Sequence, residues 1–172
     1  YIESSASDKA DVIKEFEEKM KDNPIEWEQF LSIIANNEND DALDIIKRMR
    51  ASPNFNITQS NDQRALLMRF AMNRRKSLLT QEGRDFLAAS LLELGPMNEY
   101  NTGHILSIFA QLDDMQEKTH EPLVKILVTA LDAFDVDKIP SVYNTIRRLL
   151  KGAPKAVKAY ESVHGKLSGK YF

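Results

Sequence analysis

The stretch Pro53-Asn-Phe-Asn-Ile-Thr-Gln-Ser-Asn-Asp-Gln-Arg-Ala-Leu-Leu-Met-Arg-Phe70 runs from a loop rich in asparagine directly into a helix. Ser60 is followed three residues later by Gln63, a spacing that predicts a capping box at the helix start. Behind this start, apolar residues recur at helical spacing at Leu66, Leu67, Phe70 and Ala71. One face of the helix is therefore apolar and must be buried against other elements.

The same helical spacing of apolar residues recurs on both sides of this stretch, and no run of alternating β-branched residues competes with it. Helix starts are predicted at Ser7, Asn23, Asp40 or Asp41, Thr80, Asn98, Thr119, Pro140 and Pro154. The helices are about 11 to 16 residues long with short turns between them, which favours antiparallel neighbours. The sequence predicts an all-α fold of about eight or nine helices, stacked in antiparallel pairs as a HEAT- or armadillo-like superhelix.

Composition excludes several classes of protein. The 172 residues are 42% hydrophobic and 28% charged, which is ordinary for a soluble globular domain. No apolar run approaches the roughly 20 residues that a membrane span needs. The absence of cysteine removes disulfides, thiolate catalysis and cysteine zinc sites, and fits a reducing compartment. Because no signal peptide is visible at Tyr1-Ile-Glu-Ser-Ser, we expect an intracellular location, in the cytoplasm or an organelle matrix.

Charge is unevenly spread along the chain although the net charge is only −3. Acidic residues exceed basic ones within positions 1–50, and basic residues dominate from Arg147 to the end. Such a basic segment could touch an acidic partner, lipid headgroups or nucleic acid. We interpret it as a solvated helix face followed by a frayed tail, and we expect no nucleic-acid partner.

Motifs for catalysis are missing from the sequence. The nearest approach to a zinc-protease signature is His120-Glu121-Pro122-Leu123-Val124, where valine occupies the second ligand position and proline interrupts the turn. His104 and His164 have no carboxylate at ligand spacing, and neither a glycine-rich phosphate loop nor a nucleophile elbow occurs. We therefore predict no catalytic residue, no metal ligand and no cofactor in this chain.

Arg64 is the most informative charged residue of the central stretch. It lies one turn inside the predicted helix, beside a long loop. Its guanidinium could hold the loop by binding its carbonyl groups, or it could contact a ligand outside the chain. The residues alone leave both interpretations open.

The segment Phe55-Asn-Ile-Thr-Gln-Ser-Asn-Asp-Gln-Arg-Ala-Leu-(x)3-Phe70 resembles the F-x-x-x-N-P-N-x-x-R-(S/A)-L-(x)3-F stretch in the C-terminal helical domain of aminopeptidase N, the bacterial-type zinc alanyl aminopeptidase. Upstream, Glu15-Phe-Glu-Glu-Lys19 and Glu28-Gln-Phe-Leu31 are similar to further segments of that domain. Downstream, matching offsets are found at Gly83, Phe86, Leu87 and Asn98. The resemblance covers residues 10–150.

This resemblance implies a superhelix of helix pairs that closes over a catalytic domain and narrows access to an interior chamber for short peptides. The zinc ligands and general base of such an enzyme lie in earlier domains. Two family arginines that face the chamber match Arg64, which is kept, and His104, a residue type whose charge changes near neutral pH. The family's Asn-Pro becomes Gln59-Ser60, a family tyrosine becomes Arg84, and Asn61 keeps the asparagine that follows the proline. Arg64, His104 and Asn61 are the candidate chamber-facing residues.

Two functional hypotheses follow. In the first, residues 1–152 form the aminopeptidase N C-terminal-like helical domain, and residues 153–172 add a short helix and a basic tail. This accessory domain would contact the N-terminal and catalytic domains of the parent enzyme, and peptide through Arg64. In the second, a descendant of that domain stands alone as a helical-repeat scaffold that binds other subunits of an assembly.

Overall fold

A computed structural model describes all residues from Tyr1 to Phe172. It contains ten helices and no strand, which confirms the all-α prediction, and it divides into two compact units, Tyr1–Lys76 and Ser77–Phe172. The helices are α1 (Lys9–Met20), α2 (Pro24–Ala35), α3 (Ala42–Ala51), α4 (Ser60–Asp62, Gln63–Met68 and Arg69–Met72), α5 (Arg74–Ser77), α6 (Gln81–Leu94), α7 (Glu99–Leu106), α8 (Glu117–Ala133), α9 (Pro140–Lys151) and α10 (Pro154–His164). Short 3-10 turns occur at Ser107–Phe109, Leu112–Asp114 and Gly169–Tyr171. The one helix that was not predicted is α5, which covers the basic sequence Arg74-Arg75-Lys76, where no helix start was expected.

Helix α2 is the centre of the first unit because it packs against α1, α3 and α4. Its predicted inward face is buried, and the Trp27 and Phe30 rings lie 5.6 Å apart between centroids. The start of α2 is also as predicted. The Asn23 side chain accepts the backbone N–H groups of Ile25 and Glu26 at 3.0 and 3.2 Å, with Pro24 at the first helical position.

The predicted cap at Ser7 is wrong. Helix α1 starts one residue later, with Asp8 as its N-cap residue and no capping side chain. The preceding residues already form a turn in which the Lys9 N–H donates to the Ala6 carbonyl at 3.2 Å. The Lys9 side chain is buried and forms an ion pair with Asp41 at 2.8 Å. This tertiary contact, rather than a local cap, fixes the start of α1.

The capping box predicted at Ser60 and Gln63 is also wrong. Helix α4 begins at Ser60 itself, so Gln59 occupies the N-cap position. The Gln63 side chain donates instead to the Ile57 carbonyl in the preceding loop, at 2.7 Å. From Gln63 to Met68 the helix is a π-helix, which then returns to α geometry at Arg69.

The second unit is built on α8, which packs against α6, α9 and α10. Thr80 and Asn98 cap α6 and α7 as predicted, accepting the N–H groups of Gly83 and Asn101 at 3.0 Å each. The Asp113 carboxylate accepts the N–H groups of Lys155 and Ala156 at the start of α10, at 3.1 and 2.8 Å. This carboxylate supplies the acceptors that the first turn of α10 lacks locally. The fully buried core includes Leu87, Leu91, Ile105, Leu127 and Ile146.

The segment after α10 is tied back onto the second unit rather than frayed. Gly165 ends α10 with φ of 89°, a left-handed conformation that favours glycine. Beyond it, Lys170 and the Tyr171 hydroxyl both bind Asp132 at 2.7 Å. Burial works to raise the pKa of the Asp132 carboxyl, but these two donors and the Lys170 charge hold that pKa below its usual value. The basic tail is thus partly neutralised within its own unit.

Candidate functional site

The loop before α4 is held in place by two consecutive side chains of the helix. Asp62 is buried, and its Oδ2 accepts the Asn56 backbone N–H at 2.9 Å and the Trp27 indole N–H at 3.3 Å. The neighbouring Gln63 holds the Ile57 carbonyl. Both residues face inward, so the loop is fixed from beneath.

Arg64 therefore does not serve as the loop's anchor. Its Nη2 donates to the Oδ1 of Asn61, one turn back on the exposed side of α4. One interpretation of the sequence was that the Arg64 guanidinium binds loop carbonyl groups. The structure contains no such hydrogen bond. The structure brings Asn61 and Arg64 together as a polar pair on a partly exposed surface. A guanidinium has five N–H donors, so this pair retains donors for an oxygen-bearing ligand.

The backbone beneath Arg64 is unusual. The π-helical stretch Gln63–Met68 begins immediately before Arg64, and the buried residues Ala65, Leu66 and Leu67 hold it against the core. Single π-turns within α-helices often occur at functional sites, because the extra residue in the turn re-aims the side chains around it. Arg64 thus projects from a π-helical turn whose neighbouring residues are buried in the core.

His104, the third predicted site residue, lies on the exposed side of α7 in the second unit. Its ring meets that of Tyr100 edge-on, with centroids 4.7 Å apart and an interplanar angle of 68°. The Ser107 hydroxyl donates to the His104 carbonyl at 2.6 Å. Sequence reasoning missed Tyr100, although an aromatic residue four positions before a histidine on one helix is a readable signal.

Arg84, at the position where the resemblance places a family tyrosine, forms hydrogen bonds within the second unit. Its Nη1 donates to the Leu78 carbonyl at 2.8 Å, and its Nη2 to Gln81 Oε1 at 3.2 Å. It lies at one wall of a groove of about 260 Å³ between α6 and α8. These hydrogen bonds hold the start of α6.

A larger groove, of about 680 Å³, lies between α1 and α3 in the first unit. Lys9 and Asp41 stand at its wall, whereas neither Asn61 nor Arg64 lines it. Burial works to raise the pKa of Asp41, but the hydrogen bond and charge of Lys9 hold that pKa below its usual value. The groove thus contains the internal Lys9–Asp41 ion pair among its charged lining residues.

No group of three or more His, Asp or Glu side chains is placed to hold a metal ion. His120 is buried, and its Nε2 lies 3.0 Å from the Met115 carbonyl. His164 pairs with Glu121 at 2.6 Å and stacks on Tyr160 at 4.4 Å between centroids. In addition, none of the helices has the length and apolar character to cross a membrane.

Comparison with known protein families shows to which family the chain belongs. Residues 1–151 match the family described as a domain of unknown function, DUF3458_C, with ARM repeats. The chain belongs to this family. The match confirms the predicted relationship to the C-terminal domain of aminopeptidase N-type proteins, and the armadillo-like class of stacked helices.

A solved structure supports the same fold. The crystal structure of Legionella pneumophila aminopeptidase A in complex with aspartic acid superposes with a TM-score of 0.76 at 17% sequence identity. The alignment covers 87% of this chain and 17% of the enzyme, so the chain spans about one-sixth of that relative. No curated protein matches the sequence. The family relationship thus rests on the family match, and the fold rests on both comparisons.

Proposed function

We propose that this chain is the non-catalytic C-terminal accessory domain of a zinc metallo-aminopeptidase. In this role the domain forms a wall and a gate of the chamber in which N-terminal residues are removed from peptides. The observation that carries the proposal is the family match over residues 1–151, supported by the fold shared with an aminopeptidase. Its partners would be the N-terminal and catalytic domains of the same enzyme.

Zinc in such an enzyme would be held outside this chain. The residues present here do not fit a zinc site, because His120 and His164 are engaged with Met115 and Glu121, and His104 is paired with an aromatic ring. The chain would contribute binding and positioning instead of chemistry at the metal.

Within this role, the Asn61–Arg64 pair is the proposed substrate contact. A peptide carries carbonyl oxygens and a terminal carboxylate, and a guanidinium binds both through directed N–H groups. Arg64 is fixed by the π-helical backbone beneath it and by Asn61 beside it, so little side-chain freedom would be lost on binding.

The proposal is tested with Arg64→Ala in the full-length enzyme. Loss of one charge-assisted hydrogen bond, about 1.5 kcal/mol, should lower kcat/KM for peptides about tenfold. The melting temperature should change little, because Arg64 is partly exposed. Arg69→Ala, an exposed arginine on the same helix, is the matched control and should leave turnover unchanged. An unchanged rate with a lower melting temperature would assign Arg64 a structural role only.

The alternative of a separate scaffold makes a different prediction for the native protein. The intact mass of the native polypeptide should greatly exceed the 19.6 kDa of this chain if the domain belongs to an aminopeptidase. A native mass near that value, without peptidase activity in the same polypeptide, would favour the scaffold.

A further inference from the structure

The segment that follows α10, residues 165–172, crosses the surface of the second unit, and we call it the strap. Its 3-10 turn Gly169–Tyr171 packs against α9. None of its residues is buried, and only Leu167 and Tyr171 are half-buried. Because burial of apolar surface is the main stabilising force in folding, the strap gains little from it. Polar contacts therefore hold the strap in place.

Two side chains of the second unit bind three consecutive residues of the strap. Asp132, at the end of α8, accepts hydrogen bonds from the Lys170 ammonium and the Tyr171 hydroxyl at 2.7 Å each. On α9, the Nη2 of Arg147 donates to the backbone carbonyl of Phe172. The two side chains thus bind a cation, a phenol and a backbone carbonyl in that order along the chain.

These contacts are open to solvent. The side chains of Lys170 and Asp132 are 51% and 46% exposed. An ion pair this exposed contributes little to stability and is weakened by salt. The Nε of Arg147 is buried and has no hydrogen-bond partner within the chain, which disfavours the closed arrangement. The strap is therefore held weakly, whereas α8 and α9 have buried cores.

The strap can move without α10 because a glycine separates them. Gly165 is exposed, has φ of 89° and has nothing within 4 Å of a Cβ built on it. His164, the residue before it, is held to α8 by the ion pair with Glu121 at 2.6 Å. Beyond the glycine, one hydrogen bond joins the strap to α10, from the Leu167 N–H to Glu161 at 2.7 Å.

We propose that Asp132 and Arg147 form a docking site for a Lys-Tyr-Phe segment, and that the chain's own strap occupies this site reversibly. The structure shows the closed state, in which the strap engages both side chains. In the open state both are free to bind a peptide with the same succession of cation, phenol and carbonyl. The site lies within the second unit and does not depend on the proposed function.

Hydrogen exchange of the full 172-residue chain, measured by NMR, tests whether the strap opens on its own. The hydrogen-bonded amides of Leu167, Tyr171 and Phe172 should exchange about 100-fold faster than those of α8 and α9. They should still exchange more slowly than in the free peptide of residues 166–172. Strap amides as slow as those of α8, or as fast as those of the free peptide, would overturn the proposal.

Substitution of Lys170 tests what holds the strap closed. Lys170→Ala should speed exchange of the strap amides about 2- to 5-fold, the equivalent of one exposed ion pair, and leave α8 and α9 unchanged. Lys166→Ala, at an exposed lysine of the same strap that forms no ion pair, is the matched control and should have no effect. Equal effects of the two substitutions would overturn the assigned role of Asp132.

Binding of a separate peptide tests the docking site itself. The probe is fluorescein-labelled Lys-Leu-Ser-Gly-Lys-Tyr-Phe, the sequence of residues 166–172, and its anisotropy is measured. The full chain with Lys170→Ala and Tyr171→Ala should bind the probe about tenfold more tightly than the wild type, whose tethered strap competes at high effective concentration.

Two further substitutions in that double variant show which surface binds the probe. Asp132→Asn should weaken binding about tenfold, because a charge-assisted contact is lost. Asp137→Asn, at an exposed carboxylate just beyond α8, is the control and should leave binding unchanged. A probe with alanine in place of its second lysine and its tyrosine should not bind.

The remaining outcomes are equally decisive. Equal binding of the probe by the wild type and the double variant would show that the strap does not occupy the site, and no binding by either would show that the surface does not recognise the segment. Exchange of the strap amides should not change when the protein concentration is raised about 20-fold. Slower exchange at the higher concentration would assign the site to the strap of a second copy and overturn the arrangement within one chain.

Discussion

The indole N–H of Trp27 donates to the carboxylate of Asp62, 3.3 Å away, and the same carboxylate oxygen accepts the backbone N–H of Asn56. One side chain thereby joins α2, α4 and the loop between α3 and α4 inside the first unit. Because Asp62 directly precedes Gln63 and lies two residues before Arg64, its anchoring also sets the position of the candidate site.

Replacing Asp62 by alanine should lower the free energy of unfolding by about 1–3 kcal/mol, since a buried indole donor is left without its acceptor. Urea denaturation followed by circular dichroism measures this change. Asp11→Ala, at an exposed acidic position of α1, should change stability by less than about 0.5 kcal/mol. Equal effects of the two substitutions would show that the Asp62 hydrogen bonds contribute no net stability.

Replacing Trp27 by alanine should cost more, about 3–5 kcal/mol, because a large aromatic side chain is removed from the core and leaves a cavity. Trp27 is only 6% exposed, whereas Ile25 in the same helix is 70% exposed and provides the control. Ile25→Ala should be nearly neutral. A cost below about 1 kcal/mol for Trp27→Ala would mean that the surrounding core residues move in to fill the cavity left by the indole.

The Lys9–Asp41 ion pair predicts a dependence of stability on pH. The pKa of Asp41 is lowered in the folded chain, so its stabilising contribution is present above the unfolded value of about 3.9 and is lost as pH falls through the folded value. Melting temperature measured from pH 7 to 2 should therefore fall less steeply below about pH 4 in Asp41→Asn than in the wild type. Asp40→Asn, at the exposed neighbouring residue, should retain the wild-type profile.

Gly95→Ala should destabilise the second unit by about 1–3 kcal/mol, because the new methyl group would overlap the buried Phe134 ring. Thermal unfolding measures this effect. Gly169→Ala, where nothing lies within 4 Å, is the control and should change the melting temperature little. A neutral Gly95→Ala would indicate that the Phe134 ring can move aside at no measurable cost.

Helix positions were predictable where a local side chain caps the helix. Asn23, Thr80 and Asn98 each accept N–H groups two or three residues ahead, and this geometry depends only on the local sequence. Prediction failed at Ser7 and Ser60 because contacts between distant residues decide those starts, such as the ion pair of Lys9 with Asp41.

The candidate site was predictable only in part. The sequence indicated Arg64 and left open whether it anchors the loop. The structure assigns that anchoring to Asp62 and Gln63, whose partners at Trp27, Asn56 and Ile57 become neighbours only after folding. The π-turn under Arg64 was not predictable, because the same apolar spacing fits either helix type. The roles of Arg64, His104 and Asn61 in binding peptide stay predictions.

Trp27 is the only tryptophan of the chain, and it lies in the core of the unit Tyr1–Lys76. Intrinsic tryptophan fluorescence therefore reports on one half of the molecule alone, whereas far-ultraviolet dichroism sums the helices of both halves. If the two halves melt independently, the two signals will give different midpoints in a single urea titration. The fluorescence of Trp27 thus shows, without any added label, whether the two units unfold in one cooperative transition.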